Sequence, residues 1–233
     1  MNPKRIVEFV RTGIVLGLAI WSLTMQGQSA DRHFSAIQWQ APNPWVDSLL
    51  AGMSLEEKIG QLFMVGGYSE QGEGHAAYIE RLVRDYHIGG LIFMKGKAKE
   101  QLRLTRRFQQ TAALPLLIAM DAEWGPAMRL AEVPSWPRQM TLGAQPHTGL
   151  SRRMGRAMAQ QLRALGVHVN FAPVVDINSN PRNPVIHTRS FGGDPVLVSM
   201  HGRALMQGLQ SEHILAVAKH FPGHGDTQVD SHK

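Results

Sequence analysis

Histidine and aspartate are concentrated near the end of the chain. Residues 219–232 read Lys-His-Phe-Pro-Gly-His-Gly-Asp-Thr-Gln-Val-Asp-Ser-His, and the proline and glycines indicate a loop that leaves a strand. His220, His224, Asp226 and His232 are all possible metal ligands. Their sequence spacings match neither the helical i, i+4 histidine pair nor a two-cysteine knuckle. A metal-dependent hydrolase and a solvated polar loop are both alternatives at this point.

Polar residues also follow several apolar runs earlier in the chain. The apolar runs that predict strands are Gln61–Val65, Ile88–Met94, Pro115–Asp121, Val167–Val175 and Ile214–Phe221. Asp121 and Glu123 follow the third run, and Asp176 and Asn178 follow the fourth. The carboxyl ends of parallel strands meet on one face, where an active site draws residues from many strands.

Helical segments separate the predicted strands. Ser54-Leu55-Glu56-Glu57 is a capping-box pattern that opens a short helix. Residues 148–165 have helical periodicity, and Gly166 stands where a C-terminal cap belongs. Asp194 followed by Pro195 predicts another helix start.

This alternation predicts an α/β fold with a parallel sheet. Gly66-Gly67-Tyr68 lacks the dinucleotide-binding spacing, and the polar clusters favour a (β/α)8 TIM-type barrel over an open doubly wound sheet. The spacing of the strands predicts about five of the eight units in this sequence. A complete barrel would need roughly a hundred residues beyond Lys233, so we expect the barrel to be incomplete here.

Six segments, in this order, resemble glycoside hydrolase family 3 in its β-N-acetylglucosaminidase branch. They are Met-Ser-Leu-Glu-Glu-Lys-Ile-Gly-Gln (53–61), Gly-Gly-Leu-Ile-Phe (89–93), Asp-Ala-Glu-Trp-Gly (121–125), Asn-Phe-Ala-Pro-Val-Val-Asp (170–176), Arg-Ser-Phe-Gly-Gly-Asp (189–194) and the histidine-rich segment that ends in Asp-Ser-His. The resemblance runs from about Pro44 to the end of the chain.

The resemblance implies that His232 is the general acid/base and that Asp230 orients it. The chemistry is suitable, because an imidazole titrates near neutral pH and can protonate a leaving oxygen and later deprotonate water. A nearby carboxylate fixes the tautomer and stabilises the imidazolium. A histidine in solvent is the alternative for His232.

The resemblance also implies that Asp121, Arg189, Lys219 and His220 bind the non-reducing sugar. A carboxylate can accept hydrogen bonds from two hydroxyls, and the two cations are donors that suit sugar oxygens. Alternatively, Arg189 caps a loop and Lys219 pairs with Asp176. For Asp176 itself we favour an organising role without substrate contact.

Two departures from the family pattern stand out. The stretch from Asp121 to Arg129 differs from the commoner Asp-Gln-Glu-Gly-Gly-Arg form, which suggests an altered wall around Trp124. The family's nucleophile is an aspartate on a late strand of the barrel. We therefore expect the nucleophile beyond Lys233 and no turnover by these 233 residues alone.

The first thirty residues have the layout of a secretory signal peptide. A positive n-region precedes the uncharged apolar run 13–25, which is too short to span a bilayer comfortably. We expect a signal peptide at 1–30, a lead-in segment at 31–45 and barrel sequence at 46–233, with export to the periplasm or outside the cell. An uncleaved anchor is the alternative.

The composition limits which covalent links and which binding partners are expected. The chain has no cysteine, which rules out disulfides. Its formal net charge is +6, but the basic residues are scattered, so we expect no nucleic-acid binding. No cofactor or metal is expected, and no stable membrane span after signal cleavage.

The predicted partner is therefore a carbohydrate, and the predicted reaction is retaining hydrolysis of terminal β-N-acetylglucosaminides from cell-wall or chitin-type fragments. The alternatives are a β-glucosidase of the same family, a metal-dependent hydrolase and a non-catalytic fragment.

Overall fold

A computed structural model describes residues 43–230 of the chain. The predicted signal peptide and most of the predicted lead-in segment lie outside the described residues. The described chain divides into two units between Gly52 and Met53. Helix α1, Pro44–Gly52, belongs to the first unit, and all the other elements belong to the second.

The second unit alternates strands and helices. Its helices are α2 Leu55–Gly60, α3 Gly72–Asp85, α4 Ala98–Thr111, α5 Gln139–Gly143, α6 Gly149–Ala164 and α7 Pro195–Gln210. Its strands are β1 Met64–Tyr68, β2 Gly90–Lys97, β3 Leu117–Met120, β4 Leu130–Ala131, β5 Val169–Asn170 and β6 Leu215–Ala216. Over residues 43–230, no helix has the length and apolar character to cross a bilayer.

The sheet is parallel, in the order β1-β2-β3-β5-β6. Met64 lies opposite Gly90, and Ala119 lies opposite Val169. The short β4 joins the end of β2 at Gly96. Among the described residues β1 and β6 do not pair, so this part of the sheet is open. The order and the intervening helices confirm the predicted TIM-type α/β architecture with five consecutive strands.

The strand boundaries differ from the predicted ones for local reasons. The predicted first strand began at Gln61, but the backbone N–H of Gln61 closes the last turn of α2 by donating to Glu57 O. The fourth predicted strand, Val167–Val175, keeps only two residues in regular pairing; Pro173 lacks the N–H that a continuing ladder needs. Strand β4 was not predicted, because two residues are too few to show an alternation of apolar and polar side chains.

The predicted helix ends are confirmed. Ser54 Oγ accepts a hydrogen bond from Glu57 N, and the Glu57 carboxylate accepts one from Ser54 N at 2.7 Å. Gly166 follows α6 at a φ of +71°, a left-handed conformation that glycine adopts without steric cost. Asp194 accepts hydrogen bonds from the first turn of α7.

The apolar core lies between the sheet and the helices. Phe93 from β2, Phe108 from α4 and Leu162 from α6 are among its fully buried side chains. Helices α6 and α7 approach closely at Gly155 and Gly208, where an added Cβ would overlap the backbone of the other helix. The close approach of these two helices therefore requires glycine at both positions.

Candidate active site

Consecutive strands deliver charged side chains to the same edge of the sheet. Asp121 is the first residue after β3. Beyond β5 and β6 the two chain segments stay side by side, with Val174 opposite Lys219 in a parallel bridge. This pairing places Asp176 beside His220. The predicted meeting of polar side chains at the carboxyl edge is therefore what the structure contains.

Asp121 is shared by two cations. The ammonium of Lys219 contacts its Oδ1, and Nη2 of Arg129 lies 2.5 Å from its Oδ2. The Nε of Arg129 also donates to the Asp121 carbonyl at 3.0 Å. All three side chains are partly exposed, and each carboxylate oxygen keeps a lone pair that a sugar hydroxyl can use.

Glu123 is the buried carboxylate of the cluster. The guanidinium of Arg189 makes a bidentate pair with it, in which Nε donates to Oε2 at 2.9 Å and Nη2 donates to Oε1 at 2.7 Å. Lys219 Nζ lies 2.8 Å from Oε1. Burial alone would raise the pKa of Glu123, but the hydrogen bonds from Arg189 and the positive charge of Lys219 bring that pKa below its ordinary value. Glu123 is therefore ionised at neutral pH.

Asp176 fixes the loop that begins at His220. Its buried Oδ2 accepts a hydrogen bond from His220 N at 3.1 Å and contacts the ring Nδ1 at 2.6 Å. Its Oδ1 accepts one from His224 N at 2.6 Å. With Nδ1 donating to the carboxylate, Nε2 of His220 faces Arg189 Nη2 at 3.5 Å. The ring orientation is thus set by a carboxylate that also ties down the backbone.

A buried glutamine positions the main chain of Arg189. Gln139 Nε2 donates to the carbonyl oxygens of Arg189 at 2.6 Å and Val174 at 2.7 Å. Gln139 Oε1 accepts from Val174 N at 3.1 Å. The short helix α5 therefore connects the loop that carries Arg189 to the segment after β5.

The structure brings together all four predicted sugar-binding residues: Asp121, Arg189, Lys219 and His220. Lys219 pairs with Asp121 and Glu123, and the alternative pairing with Asp176 is wrong because Asp176 is occupied by His220 and the loop backbone.

The predicted acid/base pair straddles the end of the described residues. Asp230 is the last of them, and His232 lies outside. Their pairing therefore stays a prediction.

Two members of the cluster were missed by sequence reasoning. Glu123 was named as a polar residue after the third predicted strand and within the segment 121–125, but it was given no role, although its position two residues after Asp121 was a usable signal. Arg129 follows Asp121 by eight residues and ends the stretch that departs from the family pattern, but that departure was not interpreted as a pairing with Asp121.

The histidines of the tail are engaged by other groups. His220 contacts Asp176, and Nδ1 of His224 lies 2.8 Å from Thr227 Oγ1. Over residues 43–230, no three His, Cys, Asp or Glu side chains are grouped as a metal site requires. Because His232 lies outside this range, the metal alternative stays open to experiment.

The comparisons with known proteins agree on a family. The family model described as glycosyl hydrolase family 3 N terminal domain matches residues 54–233. The chain is 36% identical over 188 residues to a beta-N-acetylglucosaminidase/beta-glucosidase of Cellulomonas fimi, which covers 81% of this chain and 33% of that protein.

Solved structures give the same answer. A family 3 beta-N-acetylglucosaminidase from Paenibacillus sp. matches with a TM-score of 0.70 and 40% identity, over 77% of this chain and 35% of that one. A beta-glucoside phosphorylase bound to 2FGlc matches with a TM-score of 0.75 and 28% identity, over 81% of this chain and 34% of that one. The chain spans about a third of the length of these proteins. It therefore belongs to glycosyl hydrolase family 3.

Proposed function

We propose that this chain supplies the sugar-binding part of an enzyme that hydrolyses terminal non-reducing β-N-acetylglucosaminides. The observation that supports this is the cluster of Asp121, Arg189, Lys219 and His220 around the buried Glu123. It presents fixed hydrogen-bond donors and acceptors side by side, as a ring bearing several hydroxyls requires. The relatives named for β-N-acetylglucosaminides favour an N-acetylated sugar.

The proposed mechanism is double displacement with retention. An aspartate attacks the anomeric carbon while His232, oriented by Asp230, protonates the leaving oxygen. Water then attacks the glycosyl-enzyme, and His232 takes its proton. No residue of this sequence is assigned as the nucleophile.

The natural substrate and location are part of the same proposal. The signal-peptide pattern at 1–30 favours an exported protein, and for an exported amino-sugar hydrolase cell-wall fragments and chitin oligomers are the available polymers. Export would be tested by N-terminal sequencing of the protein recovered from the periplasm or medium; a mature protein that begins at Met1 would refute cleavage.

The test of function uses the full-length natural protein and nitrophenyl glycosides. We expect kcat/KM for the N-acetyl-β-D-glucosaminide to exceed that for the β-D-glucoside by at least about tenfold. His232→Ala should lower the rate on substrates with poor leaving groups by about 10²–10⁴-fold, with a smaller loss in glycosylation by an activated aryl glycoside. Equal losses on both substrates would remove the acid role from His232.

The same assay separates the alternatives. If kcat/KM for the N-acetyl-β-D-glucosaminide and for the β-D-glucoside are about equal, the enzyme would be placed with β-glucosidases. The Cellulomonas fimi relative carries both names. Loss of activity in excess chelator would support a metal-dependent hydrolase. Turnover that requires added inorganic phosphate would support a phosphorylase, because one similar structure carries that name.

A further inference from the structure

Glu123 lies too deep to touch a substrate. Its side chain is 1% exposed, whereas those of Arg189 and Lys219 are 19% and 14% exposed. Any effect of Glu123 on sugar binding must therefore pass through these two cations.

Arg189 and Lys219 each keep an N–H donor that their hydrogen bonds within the cluster do not use. Lys219 has three ammonium protons, and Asp121 and Glu123 provide acceptors for two. Arg189 uses Nε and Nη2 on Glu123 and one Nη1 proton on the Val185 carbonyl. The second proton of Nη2 faces His220 Nε2 at 3.5 Å. One donor on Nη1 and one on Nζ remain, and their directions are set by the shared carboxylate.

The charges of the cluster cancel. Its charged side chains are three carboxylates and three cations: Asp121, Glu123, Asp176, Arg129, Arg189 and Lys219. Of these, only Glu123 is both almost completely buried and bound to two cations. Removing its charge would leave Arg189 and Lys219 undercompensated at the surface that meets the sugar.

We propose that Glu123 positions Arg189 and Lys219 and, by neutralising them, makes the site select neutral sugars over anionic ones. The proposal rests on the proposed function, because it takes the cluster to be the sugar-binding site. A neutral hydroxyl needs an aimed donor but no net charge, whereas a phosphate or carboxylate is favoured by excess positive charge.

The experiment compares two ligands on the full-length protein. Calorimetry would measure the Kd of N-acetylglucosamine and of N-acetylglucosamine 6-phosphate for the wild type and Glu123→Gln. We expect Glu123→Gln to bind the neutral sugar roughly tenfold more weakly and the phosphorylated sugar more tightly, because one negative charge near the ligand is gone. A parallel fall in both affinities, or no change in their ratio, would overturn the proposal.

Two further variants act as controls. Glu132→Gln removes an exposed carboxylate, whose side chain is 73% exposed, and should leave the ratio unchanged because solvent screens that charge. Glu123→Asp keeps the charge on a shorter side chain. The affinities for both N-acetylglucosamine and its 6-phosphate should therefore fall, while the ratio of the two Kd values stays the same. A ratio that shifts toward the phosphorylated sugar in Glu123→Asp would overturn the proposal even if Glu123→Gln does not fold. Failure of the wild type to bind N-acetylglucosamine would instead refute the proposed function, and this proposal with it.

Discussion

Replacing Asp176 with asparagine should release the loop that begins at His220 while leaving the core folded. The Asp176 carboxylate is fully buried and accepts from His220 N, from the His220 ring and from His224 N. An asparagine can present its one oxygen to His220, but its NH₂ group then faces the His224 N–H. One charged hydrogen bond is lost, and the other two become neutral.

The expected size follows from those three bonds. Losing the bond to His224 should cost about 2 kcal/mol, and weakening the two to His220 about 1 kcal/mol each, for a total of about 4 kcal/mol. Most of this should appear as local opening, because the large apolar side chains of the loop, Phe221 and Val229, are exposed. Small units of structure open at a lower free energy than the whole fold.

Amide hydrogen exchange measures this opening directly. The amides of His220 and His224 should exchange faster by about 10²–10³-fold in Asp176→Asn, because most of the 4 kcal/mol lowers the free energy of local opening. Asp226→Asn is the matched control, because it removes the same charge from an exposed position of the same loop. Equal exchange in the two variants would refute the reasoning.

Further outcomes are expected for helix packing, for a helix cap and for the pH dependence of stability. Gly155→Ala should lower the free energy of unfolding by about 1–3 kcal/mol in urea titrations, because the new methyl overlaps the Leu205 carbonyl; Gly74→Ala, with open space around it, should raise that free energy by about 0.4–1 kcal/mol. Ser54→Ala should cost about 1 kcal/mol through the lost cap of α2. The free energy of unfolding should also fall as the pH drops below 4.5, because the pKa of Glu123 is lower in the folded protein and the unfolded chain therefore binds the proton more readily. Glu123→Gln should make the free energy of unfolding depend less steeply on pH. An unchanged dependence in that variant would contradict this role of Glu123.

The elements could be predicted where their signals are local. The capping box at Ser54, the glycine after α6 and the Asp194-Pro195 pair each act within a few residues of where they stand, so sequence alone gives these helix ends. Boundaries of strands depend on which N–H groups find partners across the sheet. That is why β1 starts three residues later than predicted and β4 was missed.

The arrangement of the site was harder to predict from the sequence, because its contacts join residues that are far apart in the chain. The family resemblance gave Asp121, Arg189, Lys219 and His220, but neither resemblance nor spacing gave the arrangement of charges. Glu123 meets Arg189 across 66 residues of sequence, and only the folded sheet brings them together. The alternative pairing of Lys219 with Asp176 is excluded because the Asp176 carboxylate is already occupied by His220.

These sequence separations also set an order of events during synthesis. Asp121 meets a cation after eight residues, at Arg129, but both cations of Glu123 are made much later, and Lys219 follows Asp121 by 98 residues. At about 5–20 residues per second, a ribosome needs roughly 5–20 s to cover that interval. Until Arg189 has been made, 66 residues after Glu123, the nascent chain carries the Glu123 carboxylate without the cations that compensate its burial. The cluster around Glu123 can therefore close only after Lys219 has been made.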